Sequence, residues 1–197
     1  MEPNLPILNE MLCQLVERCQ EAPSLAEMVL LSVVSFNSGA HLVLPLSLVS
    51  DIEAIPIFGA QGATNVAEMF RMLRVQLGLD FAARDELRRW MRPVVFLITD
   101  GIPSDEGWEE AFADLIAPSN RFRPHVATFG MGEAGREVIA KVSTLAAYLV
   151  ADGVETERAL PSVFSSVMSS IESSSSSGRL DLPLELPGFR TVPLDAV

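Results

Sequence analysis

Hydrophobic positions in the first quarter of the chain follow two different periods. Apolar residues recur at helical spacing over residues 5–19 with charged residues on the opposite face, which predicts an amphipathic helix that Pro23 ends. Residues 28–36 form a nearly continuous apolar run, and the turn residues 37–39 separate it from a shorter run over 41–46. We predict that these two runs are strands paired as an antiparallel hairpin.

The run over residues 94–99 (VVFLIT) has no polar alternation and ends in Asp100-Gly101. Such a strand is expected in a parallel sheet covered on both faces, where ligands gather at the carboxyl ends of the strands. Strands and helices alternate after it, with helices predicted over 108–116, 133–142 and 160–171 and strands over 125–129 and 147–150. The predicted fold class is α/β, with a Rossmann-like, mostly parallel sheet, helices on both faces and one antiparallel edge hairpin.

A loop marked by glycines lies over residues 59–65, between the hairpin and the central run. It leads into a predicted helix over 66–77. The first amide groups of a helix need an acceptor, and Thr64 or Asn65 can supply one from its side chain.

The end of the chain differs in composition from the rest. Serine dominates residues 165–178, and residues 179–197 are rich in proline and leucine without a helical or strand period. We therefore predict one domain over 1–172, followed by a linker and a mobile tail over 173–197. The alternative is a tail that adds a strand to a partner or docks on this same domain.

Length and charge limit the classes of partner. The chain has 197 residues with 49% hydrophobic content, enough for one full core, and its formal net charge of -12 disfavours nucleic acid and anionic membranes. Cys13 and Cys19 lie on different turns of the first predicted helix, so we expect two reduced thiols. No apolar segment reaches bilayer length and no signal peptide is evident, which predicts a cytoplasmic protein unless a truncated start hides a signal.

The order of elements and the segment Pro-Val-Val-Phe-Leu-Ile-Thr-Asp-Gly-Ile-Pro-Ser-Asp over residues 93–105 resemble a von Willebrand factor A domain. The chain is most similar to the bacterial cytoplasmic A domains associated with tellurite resistance. The later segment Val-Ala-Thr-Phe-Gly-Met-Gly over 126–132 resembles the family's next strand and glycine turn. The resemblance covers about residues 1–171.

The resemblance implies a metal-ion-dependent adhesion site for Mg²⁺ or Mn²⁺. In the family, one loop supplies Asp-x-Ser-x-Ser, a second a threonine and a third an aspartate, and an acidic residue of a partner protein completes the octahedron. Thr64 matches the second loop and Asp100 the third, while Ser104 and Asp105 could act through water or support the ligands. Oxygen ligands suit these hard cations.

The first loop of that pattern is missing, together with the strand before it, which is central in the family's sheet. Met1, Pro6-Ile7 and Leu8-Asn9 mirror the residues that follow the motif in the family. Three explanations stay open. The start may be assigned downstream of the true one, the strand may come from another chain, or the sheet may close without it. Two remaining ligands would bind Mg²⁺ poorly.

Each candidate residue also has a plainer interpretation. Asp100 before Gly101 could only cap a turn, Thr64 could only cap a helix, and Ser104 and Asp105 could belong to a solvated loop. His41 and His125 are isolated from each other and from any cysteine pair, which argues against a zinc site.

The functional prediction is a protein-protein interaction module in a bacterial stress or signalling assembly, with a kinase or phosphatase as a partner by resemblance. The sequence has no Gly-x-Ser-x-Gly elbow, no phosphate loop and no dinucleotide fingerprint, so we expect no enzymatic activity. One alternative is a metal-free scaffold that uses an open sheet position or the C-terminal tail. A metal-dependent hydrolase or phosphoryl-transfer enzyme is the third hypothesis.

Overall fold

The computed structural model describes residues 4–57, 59, 62–82, 91–178 and 180–194. Its elements follow one another as α1 (Leu5–Glu21), α2 (Pro23–Ala26), β1 (Leu30–Phe36), β2 (Ala40–Leu48), a 3-10 turn (Val49–Asp51), α3 (Val66–Ala82), β3 (Val94–Thr99), α4 (Trp108–Ile116), β4 (His125–Gly130), α5 (Arg136–Lys141), β5 (Ala146–Val150), α6 (Thr156–Ser177) and β6 (Phe189–Thr191). Among these described residues, no helix is both long and apolar enough to cross a bilayer.

The strands form two sheets. β1 and β2 make the predicted hairpin, and a four-stranded sheet has the order β3-β4-β5-β6. The pairs β3–β4 and β4–β5 are parallel, and the register runs from Val94 opposite His125 to Thr99 opposite Gly130. The predicted α/β class, with a mostly parallel sheet and an antiparallel hairpin, is confirmed. Within the described residues β3 has a strand on one side only.

The described residues form two compact units. One takes in residues from Met1–Ser35, Leu42–Ala60 and Val150–Thr191. The other takes in residues from Phe36–His41, Gln61–Leu149 and Val192–Val197. The loops at the carboxyl end of β3 belong to this second unit.

The core of the first unit joins the apolar face of α1 to residues of α2, β2 and α6. Its buried members are Leu15, Val16, Cys19, Leu25, Leu44, Val49, Ile52 and Met168. The Sγ of Cys19 lies 3.8 Å from the Sδ of Met168 on α6, and burial together with the charge of Glu172 raises the pKa of the Cys19 thiol. Cys13 is exposed, and both cysteines are free thiols as expected.

The core of the second unit lies around β4. Every residue of that strand after His125 is buried, and the Phe129 ring stacks on Tyr148 of β5 at a centroid distance of 5.1 Å. On the helical side, Phe70 of α3 contacts Phe112 of α4 at 5.0 Å. A strand buried on both faces explains the absence of polar alternation in this part of the sequence.

The expectation of a serine-rich linker is wrong. α6 continues through the serine run to Ser177, so the predicted domain boundary at residue 172 falls inside a helix. The hydroxyls of Ser175, Ser176 and Ser177 donate to carbonyls one turn earlier at 2.8, 2.9 and 2.7 Å. This internal bonding satisfies the side chains within the helix. Gly178, at φ 68°, ends it in the left-handed conformation that glycine adopts readily.

The expectation that the tail lacks regular structure is also wrong. Residues 189–191 form β6 at the end of the four-stranded sheet. Beyond it, Val192 donates its N–H to the Ala147 carbonyl at 2.8 Å and is buried against Ile139 and Leu149. Docking on the same chain, the alternative that the composition left open, is what the structure shows for this segment.

Candidate functional site

Two loops of the second unit are joined at the hairpin turn. Asn65 donates its backbone N–H to the Asn37 carbonyl and its side-chain amide to the Ser38 carbonyl, both at 2.8 Å. Ala63 donates its N–H to the Ser38 hydroxyl at 3.1 Å. The turn after β1 therefore fixes the loop that precedes α3. The sequence suggests only an ordinary turn at Asn37 and Ser38, because their partners lie more than twenty residues away.

The loop after β3 is bonded to the same segment. Ser104 donates its N–H to the Thr64 carbonyl at 3.0 Å, and its hydroxyl accepts the Thr64 N–H at 2.9 Å. The same hydroxyl donates to the Asn65 side-chain carbonyl at 3.3 Å. These bonds join three segments at the carboxyl end of β3, residues 37–38, 62–65 and 100–105, which we call the loop cluster.

Asp105 caps α3 from the neighbouring loop. One carboxylate oxygen accepts the Val66 N–H at 3.0 Å and the other accepts the Ala67 N–H at 2.7 Å. A carboxylate at a helix N-terminus satisfies amide groups that have no partner within the helix and interacts favourably with the helix dipole. The sequence allows Thr64 or Asn65 to cap this helix, whereas in the structure Asp105 accepts from its first amides.

Two glycines pack on either side of the Asp100 segment, one against Thr64 and the other against the Asp100 backbone. A Cβ on Gly101 would lie 2.7 Å from the Thr64 Oγ1, so the threonine hydroxyl packs against the residue that follows Asp100. On the other side, Gly132 at φ 55° lies close enough that a Cβ would be 3.0 Å from the Asp100 carbonyl oxygen. Glu133 donates its N–H to that carbonyl at 3.0 Å. The glycine turn after β4 thus braces the backbone of Asp100.

Substituting Gly101 by alanine tests the contact with Thr64. We expect Gly101→Ala to lower the free energy of unfolding by about 1 kcal/mol, because the added methyl group meets Oγ1 inside the normal contact distance. Thr64→Ala removes that oxygen, so the double variant should lose less stability than the sum of the two single variants. Urea unfolding of all four proteins measures this coupling, and simple additivity would contradict the contact.

The side chains at this site have the right chemistry for a hard cation but are too few. Thr64 and Asp100 supply oxygen donors, and both residues are half-buried at the strand end. Within the described ranges, no group of three or more His, Cys, Asp and Glu side chains could hold a metal ion. Asp105 already uses both carboxylate oxygens on α3. The residues present therefore do not form a metal site by themselves, and the assignment of Thr64 and Asp100 as ligands stays a prediction.

Comparison with known proteins supports the fold. No family model matches the sequence, and no curated protein matches it. Among solved structures, the chain is similar to a von Willebrand factor type A protein from Catenulispora acidiphila, with a TM-score of 0.54 and 14% sequence identity. The match covers 87% of this chain and 40% of that one, so the chain spans well under half the length of this relative. At this identity the likeness shows the fold alone, a Rossmann-like α/β fold of the von Willebrand factor type A kind.

Proposed function

We propose that this chain is a protein-binding module that contacts its partner through the loop cluster. The observation that supports the proposal is the set of direct hydrogen bonds from residues 62–65 to both neighbouring segments, at 2.8 to 3.1 Å for the backbone donors. A surface held in one conformation before binding loses less entropy when a partner docks. The carboxyl ends of strands in open α/β sheets are also where ligands bind most often.

The exposed chemistry of the cluster suits a protein partner. Ile102 is 55% exposed directly after Asp100-Gly101, and Pro103 follows it. An apolar side chain beside a carboxylate and hydroxyl groups offers both the apolar contact and the polar contacts found at protein interfaces. The fixed φ of proline restricts the backbone on which Ile102 is presented.

The divalent cation is a conditional part of this proposal. Asp100 and Thr64 would contribute two oxygens to a Mg²⁺ or Mn²⁺ ion, and further donors must come from another segment or chain. An acidic residue of the partner is then a suitable additional ligand, since hard cations take carboxylate oxygens. The donor chemistry of the two residues supports this part, together with the packing of the Thr64 hydroxyl against Gly101, the residue that follows Asp100.

The wider setting of the proposal comes from the resemblance of residues 93–105 to bacterial A domains. On this resemblance we propose that the module acts in the cytoplasm, in a stress or signalling assembly of the kind associated with tellurite resistance, with a kinase or phosphatase as a partner. We propose binding rather than catalysis, since the sequence has no Gly-x-Ser-x-Gly elbow, no phosphate loop and no dinucleotide fingerprint.

Substituting Asp100 by alanine tests the proposed binding surface. A partner identified by crosslinking in the source cells and then purified should bind Asp100→Ala at least tenfold more weakly than wild type, which corresponds to about 1.4 kcal/mol. Glu137→Ala is the matched control, since it removes an exposed carboxylate on α5. Calorimetric titration with and without EDTA separates the two versions of the proposal. Sensitivity to EDTA supports the cation, and equal affinity of Asp100→Ala and wild type contradicts the use of this surface.

A further inference from the structure

Basic side chains gather where β3 and β4 begin. The parallel register sets Val94 opposite His125. Continued back along both segments, the same register sets Arg92 opposite Arg123. The side-chain bonds agree with this placement, because Arg92 donates from Nε to the Arg123 carbonyl at 2.8 Å and from Nη2 to the Pro124 carbonyl at 3.0 Å. We call Arg92, Arg123 and His125 the basic cluster.

Backbone carbonyls hold both guanidiniums of this cluster. Arg123 donates from Nη1 to the Pro118 carbonyl at 3.0 Å, and the two bonds to the β4 side hold Arg92. A guanidinium carries more N–H donors than these bonds use, so the bonds leave donors on each arginine for a further acceptor. A long side chain that is already fixed loses less entropy when a ligand binds to it. The two arginines are therefore ordered before a ligand arrives.

The three groups are close enough for their charges to act on one another. Burial and the charges of Arg92 and Arg123 lower the pKa of His125, and burial and the charge of Arg123 lower the pKa of Arg92. Among the described residues, no carboxylate contributes to either shift, and the ion pairs seen there do not include these arginines. Positive charges held together without a counter-charge repel one another, and a bound anion would relieve that repulsion.

The basic cluster can be reached from solvent. Arg92 is exposed, and the other two members are half-buried. Beside them the Phe122 ring stacks on Phe81 at a centroid distance of 5.5 Å, and the Arg121 guanidinium lies 5.3 Å from the centroid of the Phe122 ring. A ligand would thus meet the charges on a surface that aromatic rings partly shield from water, where electrostatic attraction is stronger.

A phosphate group fits this cluster better than a carboxylate does. A phosphomonoester carries a charge of about -1.5 to -2 at pH 7 and three strong acceptor oxygens, whereas a carboxylate carries a single charge. Two guanidiniums fixed side by side supply two positive charges, together with planar donor groups that match phosphate oxygens. His125 adds a ring N–H, which an imidazole keeps as a donor whether or not it is charged.

We propose that the basic cluster binds the phosphate group of a phosphomonoester. Arg92 and Arg123 pair with the phosphate oxygens, and His125 donates a further hydrogen bond from its ring. The cluster precedes β3, whereas the loop cluster follows it, so the length of the strand separates the two surfaces by about 20 Å. The inference does not rest on the proposed function, and either can fail without the other.

Peptide titration tests the proposal. The probe is an otherwise uncharged peptide of about ten residues with one central phosphoserine, and two comparison peptides carry serine or glutamate at that position. We expect the phosphopeptide to bind with a Kd of about 1 mM or tighter and to shift the NMR signals of the His125 ring. The serine and glutamate peptides should bind at least about tenfold more weakly.

Phenyl phosphate, a small phosphomonoester, distinguishes the two sources of this chemistry. Binding of the phosphopeptide at least about tenfold tighter than phenyl phosphate supports a phosphorylated protein as the ligand. Equal affinity of the two supports a small phosphorylated molecule, because the protein chain around the phosphate then contributes nothing.

Variants of matched charge locate the site. Arg92→Gln and Arg123→Gln should each weaken phosphopeptide binding at least about tenfold. Arg136→Gln removes the same charge from the start of α5, beyond the other end of β4, and should bind like wild type. If an arginine variant fails to fold, His125→Gln replaces it, since the backbone bond from this position to the Pro93 carbonyl does not need the imidazole. That variant should bind at least about threefold more weakly.

Three results would overturn the proposal. The first is equal binding of the serine and phosphoserine peptides. The second is a His125 ring whose signals do not move at about 5 mM phosphopeptide. The third is a loss of binding in Arg136→Gln as large as that in the cluster variants, which would indicate attraction to the overall charge of the chain rather than a site.

Discussion

Replacing Gly130 by alanine is expected to lower the free energy of unfolding by about 3 kcal/mol. A Cβ at this position would lie 1.8 Å from Cδ1 and 2.9 Å from Cγ1 of Ile139, and 3.2 Å from the Cβ of Ala134. Ile139 is fully buried, so it cannot move into solvent to make room. Protein interiors are packed closely enough that an added methyl group without space forces side chains out of their preferred rotamers.

Urea unfolding of a small set of variants measures this effect. The double variant Gly130→Ala/Ile139→Ala should lose less unfolding free energy than the two single variants lose together. The reason is that Ile139→Ala provides space for the added methyl group. Gly78→Ala is the control, because a Cβ on this helical glycine meets nothing within 4 Å. It should raise stability by about 0.5 to 1 kcal/mol. A Gly130→Ala protein as stable as wild type would show that α5 does not pack this closely on β4.

The same substitution bears on the candidate site. Gly130 immediately precedes the turn in which Met131 donates to the Thr99 carbonyl and Glu133 donates to the Asp100 carbonyl. A displaced α5 would shift this turn and with it the backbone of Asp100. The close packing of a glycine in the core therefore contributes to the position of a side chain at the surface.

Local pattern in the sequence is enough to predict most elements. The helical period predicts α1, and the unalternating apolar run predicts β3 with the bounds that the structure has, Val94–Thr99. What the sequence does not show is which strands are neighbours. β3 has the composition of a strand flanked on both sides, yet within the described residues it is paired only with β4. The composition of a strand indicates how far its side chains are buried. Which strands it pairs with depends on segments that are distant in the chain.

The two corrections at the end of the chain have different physical causes. Composition predicts a linker over the serine run, but hydroxyls bonded to carbonyls one turn earlier are compatible with a continuous helix. β6 has only three residues, which is too short to show a period. The residue after β6, Val192, is buried against Ala147 and Leu149, which are distant from it in the sequence. No local signal in residues 189–192 reveals that contact.

In the loop cluster, too, local sequence does not reveal which distant residues are in contact. Thr64 and Asn65 are good capping residues by type and position, so local sequence favours them. The cap comes instead from Asp105, thirty-eight residues beyond Ala67. Asn65 bonds to Ser38 and Ser104 instead. A sequence pattern identifies which residues can cap a helix. Which one does so here depends on the loop after β3, whose Ser104 and Asp105 bond to Thr64 and to the first turn of α3.

Substituting Asp105 by alanine is therefore expected to lower the free energy of unfolding by about 2 kcal/mol. The change removes two hydrogen bonds from an ionised acceptor, at 3.0 and 2.7 Å, and leaves the first amides of α3 without that partner. Asp105→Asn keeps one carbonyl acceptor, so it should lose about half as much. Urea unfolding gives the stability, and hydrogen exchange at Val66 and Ala67 reports the cap directly.

Glu106→Ala is the matched control, because it removes the adjacent exposed carboxylate and leaves the bonds to α3 in place. It should change the stability by less than about 0.5 kcal/mol. If Asp105 only caps a helix, the loss of partner binding in Asp105→Ala should be no larger than the decrease in its folded fraction accounts for. If the cap also holds Ser104 against Thr64, the folded Asp105→Ala protein should bind more weakly while Asp100 is intact. Equal stability of the Asp105→Ala and Glu106→Ala proteins would contradict both the capping of α3 and the positioning of Ser104. Both roles require that α3 loses stability when the Asp105 carboxylate is removed.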